Sequence, residues 1–161
     1  MVHTGEFMYR NIIVAIDNSK RRYKVLERAF KISKILDAKL NIINCARPVA
    51  KEDIEPYFYG IEEFRIDEHT DALRDAGKRH SEKIIEEAKK LAIESGIKEK
   101  KLRVLSIEAN PEDEIPRIAA KFRADLIILG SRGIKDIQRA PLGGVTSTVM
   151  NNVKCDVLVV K

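Results

Sequence analysis

The sequence predicts one α/β domain built on a parallel sheet, and two patterns carry that prediction. Five short runs rich in isoleucine, valine and leucine recur along the chain, and stretches with helical apolar spacing separate them. Several runs are continuous rather than alternating, as strands buried on both faces require. With 161 residues, 44% of them hydrophobic, the chain suits a single domain with a substantial core.

The first strand reads as Asn11 to Ile16, ending at Asp17. Asn18-Ser19 offers a helix N-cap, and Val25, Leu26, Ala29, Phe30, Ile32 and Leu36 follow at helical spacing. The second strand is Leu40 to Cys45. Ala46 to about Thr70 has no clean period and carries Pro48, Pro56, Gly60, Tyr57, Phe58, Tyr59 and Phe64. We read it as a long connection and a candidate lid over a ligand. Helical spacing returns from about Asp71 to Ser95 through Leu73, Ala76, His80, Ile84, Ala88 and Leu91, with His80 expected at the core edge and Gly96 as the stop.

The third strand is Leu102 to Ile107. Asn110-Pro111-Glu112-Asp113 combines an N-cap, a proline at the first helical position and acids in the first turn. The helix continues through Ile115, Ile118, Ala119 and Phe122, and Pro116 is expected to kink or loosen it. Asp125 to Leu129 forms the fourth strand, a helix follows near Gly144 with Val145, Val149 and Met150 on one side, and Asp156 to Val160 is the last strand. Strand–helix alternation implies right-handed crossovers with helices on both faces. Ligands then bind outside the carboxyl ends of the strands, where the winding reverses.

Composition narrows the function classes. No run of apolar residues is long enough to span a membrane, and the N-terminus lacks a signal-peptide core. Met1 to Phe7 reads as a leader foreign to the domain, or as an ordinary flexible N-terminus, with a single domain over 8–161. Two cysteines, Cys45 and Cys155, are too few for a disulfide framework, and a reducing, cytoplasmic setting is the natural expectation. His3, His69 and His80 show no metal spacing, so no metal site is expected. The net charge of +5 is spread in mixed sign. The basic clusters Lys20, Arg21, Arg22, Lys24 and Lys98, Lys100, Lys101, Arg103 read as solvated element ends, and nucleic acid is not an expected partner.

The residues that could carry chemistry follow the fourth strand. Gly130-Ser131-Arg132-Gly133 is followed, nine residues on, by Gly143-Gly144-Val145-Thr146-Ser147, which opens a helix. Glycines let backbone N–H groups approach a ligand, and a helix start presents unpaired donors to an anion. Arg132, Lys135 and Arg139 add positive charge. These parts suit a phosphate chain; an ordinary glycine turn before an ordinary helix accounts for them equally well.

The spacing Gly130-x-x-Gly133, nine residues, Gly143 is similar to the signature of nucleotide-binding universal stress proteins. Ile12 to Ser19 resembles that family's first strand with its aspartate, and Cys155 to Val160 resembles its last strand. The resemblance implies an open, Rossmann-like five-stranded parallel sheet ordered 3-2-1-4-5, ATP as ligand with Mg2+, at most slow hydrolysis with no catalytic residue assigned, and a homodimer formed through the last strand. Asp17 corresponds to the aspartate at the adenosine site, Ala15 and Ile16 would border the base, and Cys45 occupies the place of a backbone contact to adenine. Leu129, Gly130, Arg132, Gly133 and Gly143 would surround ribose and phosphates, with Val145 and Thr146 offering contacts at the helix start. Gly144 stands where the family signature has Ser or Thr, which keeps a backbone donor and removes a hydroxyl.

Other α/β chemistries lack their residues. A receiver-type domain needs clustered acids after strand one, a P-loop needs GKS or GKT, and a dinucleotide fold needs G-x-G-x-x-G; none occurs. The alternative to a nucleotide-binding stress-response regulator is a dimeric signalling or interaction module of the same fold that binds no nucleotide.

Overall fold

The computed structural model describes residues 8–50, 52, 66–131 and 142–161. Strand β1 (Asn11–Ile16) leads to helix α1 (Arg21–Ile35) and β2 (Lys39–Ala46); α2 (Ile66–Glu94) and a 3-10 turn (Glu99–Lys101) lead to β3 (Leu102–Glu108). Then follow α3 (Pro111–Lys121), β4 (Leu126–Gly130), α4 (Gly144–Asn152) and β5 (Asp156–Val160). The five strands pair in parallel in the order β3-β2-β1-β4-β5, as the family resemblance implied.

The continuous apolar strands fill two cores because their side chains alternate between faces. Ile12, Val14, Leu40, Ile42 and Ile128 pack under α1 and α2; Ile13, Ile43, Ile127 and Leu129 pack under α3 and α4. The central strands are closed to solvent, with Ile12, Ile13, Val14, Leu40, Ile42, Ile43, Ile127 and Ile128 at 0% exposure.

Local chemistry redraws several predicted boundaries. Lys20, not Asn18 or Ser19, precedes α1. The Ser19 N–H and hydroxyl both donate to Asp17 Oδ1, at 2.9 and 2.6 Å, so its cap-forming oxygen is used in the preceding turn. Helix α2 begins at Ile66 rather than Asp71 and runs 29 residues, about 43 Å at helical rise. That outruns an eight-residue strand such as β2, so residues 71–80 are all exposed, His80 among them, contrary to its expected place at the core edge. The buried stripe is Ser81, Ile84, Ile85, Ala88 and Ala92. Helix α3 is assigned without a break across Pro116. Asn110 occupies the cap position of α3 without a side-chain cap bond and donates instead to Asp113 Oδ2 at 2.9 Å.

Helices α1, α2 and α3 stop in one way. After α2, Gly96 takes φ +90° while its N–H reaches the Ile93 carbonyl and the Ile97 N–H reaches Ala92. The same pair of bonds closes α1 at Asp37 (φ 50°) and α3 at Arg123 (φ 49°). A glycine announces only one of these three turns in the sequence.

Asp125 ties the strand starts together. Its carboxylate accepts the Arg10 N–H at 2.8 Å and the Asn11 N–H at 3.0 and 3.1 Å, while its carbonyl accepts from Asp156 at 3.3 Å. Replacing Asp125 with Ala leaves the Arg10 and Asn11 donors at the start of β1 without this carboxylate. We expect a loss of about 2 kcal/mol of stability, the scale of a charge-assisted hydrogen bond, read as a lower urea midpoint with an unchanged slope.

Candidate functional site

The site originates in the winding. Helices α1 and α2 cover one face of the sheet and α3 and α4 the other, so the crossovers reverse between β1 and β4. These two strands pair directly, with Ala15 opposite Leu129. Crossovers leave their carboxyl ends in opposite directions, and a crevice opens there. Its walls include Ala15, Ile16 and Asp17 from the end of β1, Cys45 from β2, Leu129 and Gly130 from β4, and Val145 and Thr146 from α4.

Short hydrogen bonds hold the far wall. The Ser131 N–H donates to the Val160 carbonyl and the Gly143 N–H to the Ser131 carbonyl, both at 2.8 Å. The Thr146 hydroxyl donates to the Gly130 carbonyl at 2.8 Å. The two glycine segments that the sequence separates are thereby joined, and the first turn of α4 faces the end of β4. Arg132 and Gly133 lie outside the described residues. Thr146 has committed its hydroxyl to this clasp, so its backbone is what remains for a ligand.

Asp17 borders the crevice with Oδ1 engaged by Ser19; Oδ2 takes no part in those bonds. Gly143 and Gly144 stand at the start of α4. A Cβ at position 144 would lie 3.4 Å from Glu112 Oε1, at the edge of ordinary contact. Glu112 is paired with Arg47 at 2.7 Å, so a carboxylate accompanies the helix start. Among the described residues no group of three or more His, Cys, Asp or Glu could hold a metal ion.

The crevice also contains residues that sequence reasoning did not assign. Pro111 and Ile115 enter from α3 and Val25 from α1, a juxtaposition that only the packing creates. Arg21 and Arg22 line it as well, which corrects their reading as part of a solvated element end. Arg21 reaches Ser131 Oγ at 3.4 Å, across from β4. Arg22 is a brace: it pairs with Glu87 of α2 at 3.1 Å and donates to the Asn18 and Ser19 carbonyls. The signal for Arg21 was present in its position on the first turn after β1.

A parallel sheet with helices on both faces and a crevice at its switch point defines a doubly wound α/β protein. Comparison with known proteins narrows this: the family model described as the universal stress protein family matches residues 8–161, and the chain belongs to that family. A universal stress protein of Methanocaldococcus jannaschii is 30% identical over 161 residues, covering 100% of this chain and 87% of its own length. The structure of universal stress protein UspA from Lactobacillus plantarum superposes with a TM-score of 0.78 at 23% identity, over 95% of this chain and 98% of that one. A universal stress protein solved in complex with cAMP gives 0.69 at 26% identity, over 96% and 98%.

Cys45 gives the crevice a testable property. Burial, with a smaller contribution from Glu114, pushes its thiol up to about 12. Against an ordinary value of 9.0, its thiolate fraction at pH 8 is lower by about a thousandfold. Iodoacetamide at pH 8 should therefore label Cys45 far more slowly in the folded protein than in urea, as read by mass spectrometry of the alkylated peptides. Rapid labelling of the folded form would contradict the burial.

Proposed function

We propose that this chain binds an adenine nucleotide in the β1–β4 crevice and acts as a stress-response regulatory protein, with ATP as the nucleotide. The observation that carries the reading is one cleft that combines apolar walls for a base, a carboxylate for a ribose and a helix start for phosphate. Ala15, Ile16, Cys45 and Leu129 supply the walls, Asp17 the carboxylate and the first turn of α4 the anion-facing donors. The cAMP complex of a relative supports the choice of an adenine nucleotide. In this reading Mg2+ would ride on the phosphate chain, since the described residues offer no carboxylate cluster to hold it independently. Gly133 and Arg132 would close over the phosphates, as the glycine spacing suggests.

One observation favours the second reading, a nucleotide-free interaction module: Gly144 replaces the expected Ser or Thr, and Glu112 stands beside it. Titration calorimetry with Mg·ATP separates the two. A Gly130→Val variant places a branched side chain at the mouth of the crevice and should abolish binding while the melting temperature holds. Gly144→Ser restores a phosphate-facing hydroxyl and should raise affinity by about tenfold, the value of one modest hydrogen bond. Equal, weak heats for parent and both variants would select the interaction module.

The same reading includes a homodimer. Strand β5 is a sheet edge whose Leu158 is 37% exposed, an available pairing surface. Light scattering should give twice the 18.3 kDa chain mass, and Leu158→Lys should shift it toward the monomer; a monomer for the parent chain removes this part of the proposal.

A further inference from the structure

A second concavity lies at the other end of the sheet, among the strand starts. Lys39, Lys100, Lys101, Arg103, Lys121 and Arg123 line it, with Asn11, Asn41, Leu102 and Phe122. None of these lining residues is an acid, and the neighbouring carboxylates of Asp37 and Asp125 are engaged by Lys101 and by the Arg10 and Asn11 N–H groups. It opens a volume of about 390 Å³.

The period of the strands explains how it forms. On the face beneath α3, the side chains of Ile13, Ile43 and Leu105 pack into the core. Two residues nearer the amino end, the same face presents Asn11, Asn41 and Arg103, and Lys39 pairs beside Asn11. The sheet therefore extends past its apolar core into a polar floor, where Asn41 is only 7% exposed and donates to the Ile12 carbonyl at 3.1 Å. The end of α3 at Lys121 and the stop residues Phe122 and Arg123 that follow it close the other side.

Ordinary charge patterning does not account for this. A cation in the last turn of a helix complements the dipole, which explains Lys121. Lys100 closes a 3-10 turn, but Lys39 and Arg103 sit on strands, where no such reward exists. Lys101 is paired with Asp37. The other five cations have no salt-bridge partner among the described residues. The Arg103 guanidinium lies 4.6 Å from the centre of the Phe122 ring, which fixes its plane and leaves its N–H edges for a ligand. Asp37, just outside, feels the same field: its carboxyl is held below the usual range by the hydrogen bond from Lys101, then by the charges of Lys101, Lys98 and Lys100.

We propose that this concavity binds a compact polyphosphorylated anion, at a site separate from the nucleotide crevice and on the opposite edge of the sheet. Clustered ammonium groups answer a high charge density, and one oriented guanidinium adds paired donors for phosphate oxygens.

Inorganic tripolyphosphate is the probe, titrated calorimetrically into the full chain without magnesium. Parent and Gly130→Val should bind it alike, since that substitution lies at the other end of β4. Lys39→Gln/Lys121→Gln should weaken binding by about a hundredfold, at about tenfold per charge-assisted contact, with an unchanged melting temperature. A Lys100→Gln/Arg123→Gln pair repeats the test should the first variant fold poorly. Absence of binding, affinity equal to the parent's in both double variants, or loss in Gly130→Val each overturns the proposal. So does a result in which only a single-stranded oligoribonucleotide binds these cations and tripolyphosphate does not. Mg·ATP binding is measured on the same proteins, so failure of the crevice reading and failure of this one register separately.

Discussion

Direct parallel pairing of β1 with β4 is the constraint on which the rest of the structure depends. Ile12, Ile13, Val14 and Ala15 match Leu126, Ile127, Ile128 and Leu129 in register, although more than a hundred positions separate them. That pairing forces the β3–α3–β4 crossover onto the opposite face from the two before it. Both cores and the crevice follow from the same reversal. A right-handed crossover cannot cover the gap at the carboxyl ends of two strands whose connections leave in opposite directions.

The two edges of the sheet inherit opposite electrical characters from this winding. Helices that follow strands begin at the carboxyl edge, so their amino-terminal, positive dipole ends gather around Asp17, Gly130 and Gly144. The same helices end at the amino edge, where Asp37, Gly96 and Arg123 turn the chain with φ above zero. Backbone carbonyls concentrate there, and lysines and arginines surround them in numbers that helix ends alone do not require.

Precision at the crevice comes from small polar contacts rather than from bulk. Ser131, Gly143 and Thr146 bind main chain to main chain and hydroxyl to main chain within 2.8 Å, locking the start of α4 to the end of β4. Asp17 is oriented by Ser19, and Arg22 is held by Glu87 and two carbonyls. Glu112 is drawn to Arg47, which keeps its carboxylate beside Gly144. Each contact satisfies a polar group that would otherwise be costly at a partly buried site.

The sequence by itself determined the five strands, the four principal helices and the glycines at the end of β4 and the start of α4, because apolar period and turn chemistry are local properties read within a dozen residues. It marked Gly130 and Gly143 through a spacing similar to the family signature, and Asp17, Ala15 and Ile16 through the likeness of the first strand to that family's. It missed the true cap of α1, the early start of α2 with its exposed residues 71–80, and the non-glycine stops at Asp37 and Arg123, where local hydrogen bonds override residue propensity. Tertiary structure alone decided that Arg21, Pro111 and Ile115 border one crevice and that Lys39, Arg103 and Lys121 border one basic hollow. Residues from four elements meet only when long-range strand pairing closes the chain, and no local pattern encodes the register that brings them there.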